Sequence, residues 1–175
     1  PTHMAQVAGG AFQQGLTPLS MMAAPSFNDA FVREGFALAP LFTSGSMYLM
    51  AFVAPYEAET AGHATMRATF TAMGIDSANT FLVAGWASQH HLKGVLEAAN
   101  KGGDLTRAGI RRAAGSVYVD SDGMMPQREL GQNRADAESF IAVPDGTIGS
   151  GVKLLAGNYV GPSAGGYDWE SGPCS

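Results

Sequence analysis

A short apolar run between two prolines decides the fold of this chain: it reads PLSMMAAP, residues 18–25. A run of about four to eight apolar residues closed by turn-forming residues is typical of a buried β-strand. A helical pattern precedes it over residues 4–15, and a second uncharged run, SMYLMAFVA at residues 46–54, follows it. Residues 27–33 have the pattern of a short helix, with Ser26 as its N-cap. This helix–strand–helix–strand order predicts an α/β fold with a Rossmann-like parallel sheet flanked by helices.

The same periodicities extend the prediction along the rest of the chain. In the middle of the sequence, two amphipathic patterns that end at glycine predict two helices. A polar N-cap ahead of a further helical pattern predicts a third helix. Short β-branched runs bounded by turn-forming residues predict further strands. The predicted helices span residues 60–73, 79–100 and 110–114, the strands 117–119, 139–143 and 151–160, and the tail at 161–175 is predicted to be irregular.

Composition and charge exclude several classes of protein. The 175 residues are 46% hydrophobic and 14% charged, with a formal net charge of −5, which argues for one folded domain and against disorder. Without a basic face, nucleic acid is not an expected partner. Residues 35–56 carry no charge, but Pro40 and the polar run at 43–46 favour a buried strand over a transmembrane helix. The first residues lack the pattern of a signal peptide.

Residues that could carry catalysis or bind metal do not form a known constellation. The sequence contains no nucleophile elbow and no phosphate-binding loop, so we expect no enzyme activity and no cofactor. Four histidines are predicted to be surface or partly packed side chains and not metal ligands, and Asp120-Ser121-Asp122-Gly123 is predicted to be a plain turn. Glu57 and Glu59 are predicted to point apart in a solvated loop. The single cysteine, Cys174, is either a free tail thiol or paired with a cysteine outside this chain. The histidines are His3, His63, His90 and His91.

The ends of the first two strands are the candidate binding region. Ligands of open parallel sheets bind beyond the carboxyl ends of the strands. Each of these strand ends carries a proline and an aromatic residue, and such a wall suits a cleft for a small molecule. Packing of the two rings against the top of the sheet is the alternative, and spacing alone favours it. The candidate ligand-binding residues are Ala24, Pro25, Ser26, Phe27, Tyr56 and Glu57.

The order of these segments resembles the C-terminal half of the type I periplasmic binding proteins, in particular the branched-chain amino-acid and related substrate-binding components of ABC transporters. Four stretches carry the resemblance, and GDLTRAGI at residues 103–110 is the most specific of them. The others are residues 1–15, 19–28 and 81–99. Together they cover about residues 1–143.

The resemblance implies an extracytoplasmic receptor, periplasmic or extracellular, with a lipoprotein anchor of the full-length form left open. Its two lobes close over a small ligand and deliver it to an ABC permease. By this resemblance, residues 1–54 are the later part of lobe 2, and 55–125 are the later part of lobe 1 with a hinge crossing. Residues 126–160 are a return segment with the terminal strands, and 161–175 are the tail. A missing N-terminal half, or self-association, would then cover the exposed sheet edges.

One departure from the family bears on the ligand. Amino-acid-binding relatives place an acidic side chain in the pocket loop, where this sequence has Ala24. Glu57 or Asp29 could replace that charge from another angle. An amino-acid-like molecule, an amide and an apolar or aromatic acid therefore all stay open. A ligand-sensing regulatory domain on the same fold is the alternative function.

Overall fold

The computed structural model describes residues 2–126, 128–129 and 138–165. Its larger sheet has four strands in the order β1-β2-β5-β6, and β3 and β4 form a separate two-stranded ribbon. The helices are α1 (Thr2–Gln13), α2 (Ala39–Phe42), α3 (Ala61–Ala72), α4 (Thr80–Lys101), α5 (Arg107–Ala114) and α6 (Pro162–Gly165). The strands are β1 (Ser20–Ala23), β2 (Met47–Ala51), β3 (Tyr118–Val119), β4 (Arg128–Glu129), β5 (Glu138–Pro144) and β6 (Val152–Val160).

The predicted α/β class, a sheet flanked by helices, is confirmed, and the sheet itself is mixed. β1 and β2 run parallel, with Met22 opposite Leu49. β5 returns antiparallel to β2, with Ile141 opposite Met50, and β6 is antiparallel to β5. The parallel direction that the helix–strand alternation predicted therefore holds for β1 and β2.

Polar side chains define where the helices begin. The Thr60 hydroxyl accepts from the His63 amide before α3, and Asn79 Oδ1 accepts from the first-turn amides of α4. These N-caps satisfy donors that lack a partner inside the helix. The predicted helix at 27–33 with Ser26 as its cap is wrong. Two 3-10 turns, Ala24–Ser26 and Asp29–Val32, replace it, because the Asn28 side chain accepts from the Ala30 amide and starts a new turn.

The core is divided into two clusters of buried side chains. The first cluster lies between one face of the sheet and the segments α1, α2 and 27–32, and its rings pack closely, with 4.9 Å between the centroids of Phe31 and Phe42. The second cluster lies around α3 and α4 and includes the fully buried Met66 and Val83. A third, smaller cluster includes Ala24, Ala54 and Phe140.

The other face of the sheet is exposed along β1 and β2, whereas Ile141 of β5, which pairs with Met50, is buried. Side chains alternate across a strand, so Met22 points into the first cluster while Met21 points away from it. Met21 is 60% exposed, and Met50 on β2 is 47% exposed. β1 is also an edge of the sheet. We call this surface, centred on Met21 and Met50, the open face.

The remaining predictions on the chain have mixed outcomes. The tail forms the short helix α6 where it was expected to be irregular, and Cys174 lies outside the described residues. Among the described residues, no helix combines the length and apolar character needed to cross a bilayer. His63 is fully buried, contrary to the expectation of a surface or partly packed side chain.

Candidate functional site

The loop at residues 54–58, which carries Tyr56 and Glu57, is fixed by two side chains of α3. Imidazole Nε2 of His63 donates to the Ala54 carbonyl at 3.1 Å, and Nδ1 accepts from the Thr60 hydroxyl at 2.8 Å. One Arg67 nitrogen donates to the carbonyls of residues 56 and 58, at 2.8 and 2.9 Å. Three backbone carbonyls of a five-residue loop are therefore held from one helix.

Burial decides the charge state of the imidazole in this loop. Loss of solvation is the largest effect and lowers the pKa of His63 below its ordinary value of 6.5. The positive charge of Arg67 lowers this pKa further, while the hydrogen bond to the Ala54 carbonyl raises it by less than burial lowers it. The neutral ring with its proton on Nε2 matches both partners, since a carbonyl can only accept.

Glu57 connects this loop to a second one, residues 145–151. Its Oε1 accepts from the Ser150 amide at 3.0 Å, and its Oε2 accepts from the Ser150 hydroxyl at 2.5 Å. Ser150 is 3% exposed. As predicted for a solvated loop, Glu57 and Glu59 are both exposed, the Glu59 side chain at 90%, but the prediction did not include the bonds from Ser150 to both oxygens of Glu57. Alternation along the segment does separate the two side chains, but the partner of Glu57 is 93 residues away in sequence.

The 145–151 loop has its own internal order. The Asp145 carboxylate accepts from the amide and hydroxyl of Thr147, and these bonds hold the pKa of Asp145 below its ordinary value of 3.8. Arg33 donates to the carbonyl of Ile148 at 3.3 Å and also contacts the Gly149 carbonyl. The loop is thus anchored to the first-cluster side as well.

A small cavity lies between residues 27–29, the start of α4 and Ser150 of the 145–151 loop. Its volume is about 10 Å³, room for roughly one water molecule. Phe27 and its neighbours form one wall, the first turn of α4 with the half-exposed ring of Phe81 forms another, and Ser150 closes it. We call this the cleft; the full lining is Phe27, Asn28, Asp29, Asn79, Thr80, Phe81 and Ser150.

The predicted site residues divide between this cleft and the core. Phe27 is 3% exposed, lines the cleft and packs edge-on against Phe31. Tyr56 lies in the second cluster, stacked on Phe70 at 6.4 Å. Ala24 is buried in the third, smaller cluster, Ser26 is half-buried and Pro25 is exposed. The two predicted loops therefore approach each other through alanines, and contact of these six residues with a ligand stays a prediction.

Neither acid of the predicted pocket has a free carboxylate. Asp29 forms an ion pair with Arg33 at 3.3 Å, and both oxygens of Glu57 are bonded to Ser150. An ammonium group in the cleft would have to compete with these partners. The described residues also hold no group of three or more His, Cys, Asp or Glu side chains placed to share a metal ion.

Sequence reasoning missed three participants, namely Ser150, the first turn of α4 and the Arg67 contacts. The first turn of α4 could have been identified from the sequence, because Asn79, a residue type favoured at helix N-caps, precedes a long helical pattern. Nothing in the local sequence indicates that Ser150 meets Glu57.

A wider groove of about 260 Å³ lies on the outer side of the second cluster. It is formed by α3, α4 and the turn at Asp122, with Trp86 and His90 among its lining residues. No residue of the first cluster lines this groove, whereas Phe27 of that cluster lines the cleft. We therefore take the cleft as the candidate site.

The fold is similar to that of a solved structure, the fatty acid ABC transporter substrate-binding protein from Thermomonospora curvata. The TM-score is 0.80 at 20% sequence identity, over 95% of this chain and 43% of that one. This chain therefore spans less than half the length of that neighbour, and the likeness establishes a partial periplasmic-binding-protein fold. No family model matches the sequence, and no curated protein matches it.

Proposed function

We propose that this chain is part of an extracytoplasmic solute-binding component of an ABC importer, of the type I periplasmic class, working in the periplasm or at the cell surface. It holds a small molecule between two lobes, leaves it chemically unchanged and presents it to a permease. The observation that carries the proposal is the shared fold over 95% of the chain with a substrate-binding protein of such a transporter. A cleft between two separate cores is what hinge closure over a ligand requires.

The residues around the cleft favour an apolar or aromatic acid, or an amide, over a plain amino acid, and any of these would require the cleft to open beyond the 10 Å³ that it encloses here. Phe27 and Phe81 offer apolar surface, while Asp29 and Glu57 are already engaged by Arg33 and Ser150. The fatty acid named for the structural neighbour belongs to the same class of apolar acids. We therefore place fatty acids among the candidate ligands.

The proposal also states what covers the open face in the working receptor. Met21 and Met50 are exposed on one surface of a sheet whose other surface is covered. In the working receptor, further chain of the same polypeptide covers them, as the length of the neighbour suggests, or else a second copy does.

Thermal stabilisation by a ligand panel tests the function. Dodecanoate, benzoate, benzamide and leucine are each titrated into the chain. A ligand that binds the folded state raises the midpoint of thermal unfolding, and the rise grows with the ligand concentration. We expect the apolar acids to raise the melting temperature and leucine not to. A panel with no effect from any member, or a ligand recovered in altered form, contradicts the proposal.

Phe81→Ala tests the cleft itself. The Phe81 ring is 50% exposed, so its removal spares the core, and its loss should weaken binding of the stabilising acid by about tenfold. Leu82→Ala is the matched control, because Leu82 is 48% exposed on the same helical turn but does not line the cleft. Calorimetric titration measures both; equal affinity of the two variants removes Phe81 from the site.

A further inference from the structure

The carboxylate of Glu57 spans the boundary between the two clusters. Its backbone belongs to the loop that Arg67 holds, with one bond to the carbonyl before Glu57 and one to the carbonyl after it. The position of the carboxylate is therefore set from α3, and both of its oxygens are directed at Ser150.

Ser150 has the complementary setting. It is 3% exposed, lines the cleft and belongs to a loop that Arg33 anchors to the first-cluster side. Beside it, Gly149 approaches the second-cluster side so closely that a Cβ there would lie 3.1 Å from Cβ of Ser77. The Ser77 hydroxyl adds only a long bond of 3.4 Å to the Gly149 carbonyl.

We propose that Glu57 is a positioning residue of the cleft, which fixes Ser150 as part of its wall and thereby slows the release of a bound solute; this rests on the proposed function. Hydrogen bonds to a charged acceptor are roughly twice as strong as neutral ones. Two of them on one residue outweigh the long Ser77 bond, so Glu57 is the main anchor of the 145–151 loop on the second-cluster side, while Arg33 anchors it on the first-cluster side. Glu57 thus acts through Ser150 and does not itself provide the ligand's counter-charge.

Hydrogen exchange of the Ser150 amide tests the role directly, because this amide donates to Glu57 Oε1. In Glu57→Ala the amide should exchange at least about tenfold faster. Glu57→Gln, whose amide oxygen still accepts, should restore most of the protection. Glu97→Gln is the control, since it removes the same charge from a side chain that is 67% exposed on α4 and pairs with Lys93 of the same helix.

Amides of β5 report global stability in the same NMR experiment. Faster exchange at Ser150 with unchanged β5 amides supports the proposal. Unchanged exchange at Ser150 in Glu57→Ala, equal acceleration in β5, or equal acceleration in Glu97→Gln overturns it.

Dissociation of dodecanoate supplies the functional arm. If the wild-type chain binds dodecanoate, release from Glu57→Ala should be about tenfold faster, with Glu57→Gln close to wild type. Unaltered release from Glu57→Ala overturns the role in retention. Failure of the wild-type chain to bind any apolar acid counts against the proposed function, and exchange at Ser150 still decides whether Glu57 positions the loop.

Discussion

At the scale of single residues, His63 connects the start of α3 to the segment that leaves the sheet. Its ring joins Thr60 on one side and the Ala54 carbonyl on the other, and it is fully enclosed. A protonated ring would carry its charge into this enclosure next to Arg67, with Glu57 and Glu59 as the nearest acids. Protonation of His63 is therefore coupled to unfolding.

We predict that the chain loses stability in mild acid through His63. The pKa of His63 is lowered in the folded state, so below about pH 6.5 the unfolded chain binds a proton that the folded chain does not. The free energy of unfolding should fall from pH 7.5 to 5.5, by at most about 1.4 kcal/mol per pH unit from this group. Urea unfolding of wild type and His63→Gln at both pH values measures it. An equally steep loss in His63→Gln assigns the effect to other groups.

Single residues also show how far the sequence predicts the site. Phe27 was identified from its place after a strand, and it does line the cleft. The enclosure of His63 and the bond between Glu57 and Ser150 depend on segments that meet only after folding, so no local pattern contains them.

At the scale of elements, the start of α3 is pressed against the segment at 121–125. The Gly62 amide donates to the Asp122 carbonyl at 3.0 Å, and Ser121 closes the turn through the Met125 amide at 2.8 Å. A Cβ on Gly62 would lie 2.5 Å from the Met124 side chain and 2.8 Å from the Ser121 carbonyl. Only a residue without a side chain allows this approach.

Two glycine substitutions should therefore have opposite effects. Gly62→Ala should destabilise the fold by about 1–3 kcal/mol through overpacking. Gly85→Ala, inside α4 with no atom within 4 Å of the added carbon, should stabilise it by about 0.5–1 kcal/mol through helix propensity. Chemical denaturation measures both. A stabilised Gly62→Ala would show that the 121–125 segment moves aside without loss.

Elements were easier to predict from sequence than their arrangement. Helix positions followed from amphipathic spacing and from the glycines that end the patterns, and in the structure Thr60 and Asn79 cap the starts of α3 and α4. The antiparallel pairing of β5 with β2 did not follow from the sequence, because an apolar run identifies a strand but not the direction of its neighbour.

At the scale of the whole molecule, one surface of the sheet is covered and the other is exposed along β1 and β2. An edge strand such as β1, with its unpaired backbone groups, is a template for pairing with another chain, and Met21 and Met50 add apolar surface beside it. We predict that the isolated chain self-associates through the open face.

Met21→Lys with Met50→Lys should weaken that association by about tenfold or more, since it places charges on an apolar contact. Leu92→Lys is the control, because Leu92 is 54% exposed on α4, away from the sheet. Sedimentation velocity over a concentration series measures the effect. Association that persists in the double variant, or that Leu92→Lys abolishes equally, places the contact elsewhere.

The two bonds from Arg67 to the loop at 54–58 have a consequence for the thermodynamics of the proposed solute binding. A loop that is held on both sides of Glu57 loses its conformational entropy when the chain folds, so little remains to be lost when a solute arrives. Binding should then show a small entropic penalty for ordering of this loop. The cleft wall at Ser150, which the loop supports through Glu57, is in this sense already set before the solute binds.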